Sequence, residues 1–164
     1  MVQTALPTAT VSNDWTVTGA ASAHAALASA SDSSLIETNV EDENCRVNIA
    51  SLTDPEVGTG HVIRGRGRAT GSGGGEKIRV ALFEGGTERA LSGKITLNRV
   101  TFQAFSFTLS EVQADTITDY TDLRIEIRSD TVGGTENLEV SEVFFEVPDA
   151  PTGGFAHSQA VVIG

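Results

Sequence analysis

The chain has 164 residues and a net charge of -11, from 22 acidic against 11 basic side chains; 39% of its residues are hydrophobic and only 5% aromatic. That length fits one domain around one core, the acidity repels a phosphate backbone and argues against a nucleic-acid partner, and no segment approaches the run of about 20 apolar residues that crosses a membrane. The single cysteine, Cys45, excludes an intrachain disulfide and any CxxC metal pair.

Residues 1–10 are sparsely charged and carry neither a basic leader nor a long apolar stretch, so they read as an N-terminal arm without a signal peptide. Strand-like alternation recurs from about residue 10 to residue 148. Trp15, the only tryptophan, falls in the first such segment and is expected to pack at one end of the core. Residues 20–30 are rich in Ala and Ser around His24 and Leu27 and fit either a short helix or a loop, the loop being favoured because serine competes for backbone hydrogen bonds. A short strand over residues 34–38, an acidic turn at 41–44 and a second strand around Cys45 follow. In that strand Cys45, Val47 and Ile49 share one face, which makes the thiol a small core residue.

After a loop punctuated by Pro55, Gly58 and Gly60, residues 61–69 alternate cleanly. Arg64, Arg66 and Arg68 take one face, and Ile63, Gly65, Gly67 and Ala69 the other. The glycine-rich residues 71–75 read as a hairpin turn into residues 77–83, with Ile78, Val80 and Leu82 pointing inward. Gly85-Gly86 turns into a weaker strand near Leu91. Another strand over 101–109 puts Phe105, Phe107 and Leu109 on one face. Ser110 with Gln113 has the capping-box spacing, predicting one helical turn over residues 111–115. Two last strands, 123–128 and 138–147, flank the Gly133-Gly134 turn and alternate apolar with charged residues. Pro148 closes the domain, and residues 149–164 form a C-terminal arm with an apolar tip.

About eight such strands, with no long helical pattern between them, predict an all-β, antiparallel, jelly-roll-like β-sandwich over residues 11–148, with extended terminal arms. Little in it points to catalysis. His24, His61 and His157 have no neighbours at zinc-ligand spacing. Glu76 stands where a phosphate-binding loop needs glycine before Lys77, and no nucleophile elbow is present. The acidic turn at 41–44 lacks the spaced oxygen ligands of a defined calcium loop, and in the second acidic cluster, Asp115, Asp119 and Asp122, Asp119 or Asp122 reads as a turn cap, so no catalytic, cofactor or metal residues are assigned. The arginine stripe reads as a polar binding face for a carboxylate, sugar or acidic partner, or, structurally, as cross-strand pairing with glutamates such as Glu126, Glu139 or Glu142.

Residues 54–64, the Gly73–Gly75 turn and residues 114–124 resemble a loose group of uncharacterised β-sandwich proteins of tailed phages and environmental viruses, over roughly residues 30–148. The resemblance implies a non-enzymatic virion component. A capsid decoration or cement protein is expected from it, self-associating as a homotrimer on the major capsid protein through arm residues Leu6, Pro7, Phe155, Val161, Val162 and Ile163. The alternative is a carbohydrate-binding module or tail-fibre adhesin that recognises host-surface glycan. For that reading, exposure of Trp15 and Tyr120 on one rim would supply the aromatic platform.

Overall fold

In the computed structural model, which describes residues 1–71, 75–133 and 136–151, the chain folds as two antiparallel sheets packed face to face. Its strands are β1 (Val2–Ala5), β2 (Pro7–Asn13), β3 (Thr16–Thr18), β4 (Leu35–Thr38), β5 (Asn44–Ile49), β6 (Val62–Ala69), β7 (Lys77–Glu84), β8 (Thr87–Leu91), β9 (Ile95–Thr96), β10 (Gln103–Thr108), β11 (Leu123–Thr131) and β12 (Leu138–Pro148); two short helices, α1 (Ala23–Leu27) and α2 (Glu111–Ala114), join them. The first sheet runs β10-β6-β12-β4-β3, with β1 beside the far half of β12. The second runs β2-β5-β11-β7-β8, with β9 beside β7.

Alternation decides which side chains meet between the sheets. Cys45, Val47, Ile78, Val80, Leu82, Ile125 and Ile127 come from the second sheet, and Ile63, Leu138, Val140, Val143, Phe145 and Val147 from the first. Every one is buried. Gly65 leaves the space that the Phe105 ring of neighbouring β10 fills: a Cβ there would lie against Phe105 Cζ and 2.7 Å from the Glu142 carbonyl oxygen. Trp15 packs into the same core.

Four sequence expectations change. The N-terminal ten residues are strands rather than an arm. β1 pairs Val2 to Ala5 with Pro148 to Phe145, β2 pairs Pro7 with Ile49, and the Gln3 side chain bonds the backbone of Thr53 and Pro148. The second half of β12 has a free ladder beyond the reach of β4, and β1 satisfies it. Pro7 is accordingly buried and Leu6 exposed, while Phe155, Val161, Val162 and Ile163 lie outside the described residues. Next, β6 and β7 do not pair as the hairpin expected across residues 71–75 requires, residues 72–74 themselves lying outside the described residues: β6 belongs to the first sheet and β7 to the second, and β11 and β12 are likewise divided between the sheets.

Third, residues 23–27 are helical: the Ser22 hydroxyl accepts from the Ala25 N–H as an N-cap, so the competing serine sits where competition starts a helix. Ala23, Ala26 and Leu27 pack this turn onto the core. Finally, the strands number more than eight, because residues 10–18 break at Trp15 and the short β1 and β9 extend the two sheets. The turn at 111–114 forms as the capping box predicts, with both reciprocal Ser110–Gln113 bonds.

Candidate functional site

The arginine stripe is real, and it is neutralised. Arg64 pairs with Glu146, Arg66 with Asp32 through two bonds of 2.8 Å, and Arg68 with Glu139 at 2.6 Å. Arg68 also lies over the Phe102 ring, 4.6 Å from its centre. Of the expected glutamate partners only Glu139 serves. Glu142 makes no ion pair among the described residues, and Glu126 lies on the other sheet. Asp32, held below the usual carboxylate range by its hydrogen bond from Arg66, enters from a loop that strand periodicity does not reveal.

The residues proposed for a sugar platform are not on a rim. Trp15 is 3% exposed, and Tyr120 is 6% exposed with its hydroxyl 2.7 Å from His61 Nε2. Burial pushes the Tyr120 phenol up to about 12 and the His61 imidazole below its ordinary value. His24 bonds Ser22 and Thr10, and His157 lies outside the described residues. No group of three or more His, Cys, Asp or Glu side chains gathers as a metal site among the described residues.

A polar concavity lies on the outer face of the second sheet, an open depression of about 570 Å³ lined by Asn44 and Arg46 of β5, Arg79 of β7, and Glu126, Arg128 and Asp130 of β11. Register brings these together: Arg46 stands opposite Glu126, Asn44 opposite Arg128, and Arg128 opposite Arg79. Glu126, only 4% exposed, is gripped from both sides, by Arg46 at 2.5 Å and by Arg128. Arg46 lies flat over Phe83, 3.8 Å from the ring centre, with Arg128 at 5.8 Å. Phe83 thus occupies an outward position of β7 yet stays out of water. At the groove's other end Asp130 takes Lys94 at 2.7 Å and Arg79 at 2.9 Å, the Lys94 hydrogen bond foremost in holding its carboxyl below the usual range. The Glu126 and Glu88 carboxylates hold the Arg128 guanidinium above its usual value, outweighing the opposing effect of burial.

The arrangement is a floor of planar forks, guanidinium and carboxylate, already ordered by one another. It presents donors and acceptors in fixed pairs and is suited to holding a hydroxylated or anionic ligand. The sequence held the signal in polar residues at alternate positions, 44-46-48, 77-79 and 124-126-128. Without the register each reads as an ordinary wet face.

No known protein-family profile matches the chain, and no curated protein matches it. Solved structures that share its fold include the CBM36-1 domain of a multidomain xylanase from the hindgut metagenome of Trinervitermes trinervoides, with TM-score 0.52 and 10% identity over 92% of this chain and 98% of that one, and the C-terminal CBM6 of LamC, a marine laminarinase from Zobellia galactanivorans, with TM-score 0.52 and 10% identity over 90% of this chain and 99% of that one. At that identity the likeness is one of architecture: the chain is a β-sandwich of the kind seen in carbohydrate-binding modules.

Proposed function

We propose that the chain is a non-catalytic saccharide-binding module whose ligand lies in the groove over Arg46, Glu126 and Arg128. The observation that carries this reading is the groove itself, a site of about 570 Å³ on a rigid sheet face whose polar groups are held in position before any ligand arrives. Adjacent hydroxyls on a pyranose ring match the two-pronged geometry of guanidinium and carboxylate. The two similar structures described above are CBM domains of a xylanase and a laminarinase, which supports the same class. With Trp15 and Tyr120 buried, recognition here rests on hydrogen bonds and charge rather than on ring stacking by those two residues.

A glycan array spanning neutral β-glucans, xylans and uronic-acid polysaccharides, followed by calorimetry on the best ligand, tests the proposal. Binding to one class, weakened about tenfold or more in Arg128→Ala, corresponding to about 1.4 kcal/mol or more, supports it. No binding across the array, or binding indifferent to Arg128 and Glu126, overturns it.

A second reading retains the decoration role, a homotrimer docked on a major capsid protein of a virion. What favours it is the run of exposed aliphatic residues Met1, Val2, Leu6 and Val11 along the first two strands. Light scattering on the full chain decides between them: a concentration-independent monomer removes the assembly reading, and a trimer that Leu6→Ser with Val11→Ser dissolves restores it.

A further inference from the structure

The inward alternation of two strands runs on past their ends into acid. Ile78, Val80 and Leu82 of β7 face the core, and two residues before Ile78 the same face presents Glu76. Leu138 and Val140 of β12 face the core from the opposite sheet, and two residues before Leu138 the same face presents Glu136. Two carboxylates are therefore turned inward from the two sheets at one end of the sandwich. Glu76 is 2% exposed and Glu136 3%. Gly133 separates them: a Cβ there would lie 2.9 Å from Glu136 Oε2 and 3.3 Å from Glu76 Oε1, so both carboxylates border the same small space.

One guanidinium serves this pair. Arg99 Nη2 is 3.6 Å from Glu136 Oε1 and donates to the Gly71 carbonyl at 2.7 Å. Among the described residues the Oε2 atoms of both glutamates have no hydrogen-bond partner. A buried acceptor left unpaired is costly, and an uncompensated buried charge more so. Among the described residues one guanidinium thus stands beside two carboxyl groups.

We propose that Glu76 and Glu136 hold a hard divalent cation, calcium in chemical class, between the two sheets beside Gly133. Carboxylate oxygen is the donor this ion takes, and its flexible coordination completes the shell with backbone carbonyls and water where only two side chains contribute; magnesium, which demands near-regular octahedral geometry and surrenders water reluctantly, fits such a site less well. The ion ties the start of β7 to the approach to β12, and so one sheet to the other. This inference is independent of the saccharide groove.

The test uses the full chain stripped with EDTA. Isothermal titration with calcium chloride, magnesium chloride as control, is read beside thermal unfolding with and without millimolar calcium. Expected are a saturable one-site calcium isotherm, a rise in Tm with calcium larger than with magnesium, and loss of both in Glu76→Gln and in Glu136→Gln. Each variant is checked for cooperative melting in EDTA; if one does not fold, the wild-type isotherm and the other variant still decide. Absence of calcium heat and of any Tm shift in the wild type overturns the proposal. So does a calcium response that persists undiminished in both variants. Stability of the stripped protein that rises on acidification, with no calcium response, assigns the pair to a shared proton instead.

Discussion

The guanidinium of Arg46 lies 3.8 Å above the centre of the Phe83 ring while its nitrogens grip Glu126, so one side chain joins an aromatic shield to a nearly buried carboxylate. Arg46→Ala removes both contacts, uncovers Phe83 and leaves Glu126 to Arg128 alone. The expected loss of stability is about 1–3 kcal/mol by urea unfolding. Arg46→Lys is expected to recover less than half of it, since an ammonium neither stacks nor forks. Recovery by lysine would reduce the contact to charge alone.

Gly65 faces Phe105 with no room for a methyl group. Because one neighbour is the backbone oxygen of Glu142, repacking of the ring relieves only part of the clash, and Gly65→Ala should destabilise by about 1–3 kcal/mol. Gly86, where an added methyl group would meet nothing within 4 Å, is the control, and Gly86→Ala should change stability far less.

Acid should weaken the fold through His61. Its imidazole is held below the ordinary value chiefly by burial, with the Thr59 carbonyl, Asp54 and Asp115 pulling the other way. The unfolded chain takes up a proton near about pH 6.5 while the folded chain resists until lower pH. The unfolded state thus binds more protons in that window, and stability is full above it and falls as pH drops through it. Tm measured against pH should decline more steeply below about pH 6.5 in wild type than in His61→Gln. Parallel curves would remove His61 as the cause.

Cys45 is fully buried opposite Ile127, and burial, aided by Asp14 and Glu126, pushes its thiol up to about 12. A thiolate-directed reagent at neutral pH should leave the native protein unmodified for hours and label one equivalent at once in denaturant. Rapid native labelling would indicate that β5 opens locally.

Period-two alternation located β5, β6, β7, β11 and β12 and told which side chains enter the core, because each of these strands gathers its charged side chains on one face. It could not say which strands lie side by side. The glycines after Ala69 look the same whether the chain turns back within a sheet or crosses to the other, and here it crosses. The groove was illegible for the same cause: Arg46, Arg79 and Arg128 meet only once β5, β11 and β7 are set in register, and nothing in the sequence around Phe83 shows that arginines of other strands shield it from outside. Glu76 drew notice only for spoiling a phosphate loop, although its parity with Ile78 already pointed it inward.

The first thirteen residues divide between the layers, β1 completing the sheet of β12 and β2 that of β5, with Leu6 alone between them. Val2 finds its ladder partner at Pro148, almost the whole described chain away. β1 therefore has no ladder to join until β12 has been made, whereas β2 has its partner as soon as β5 is in place. A pairing of such long sequence separation is costly to close before the intervening strands have joined, which marks the docking of β1 as a late step in assembly of the domain.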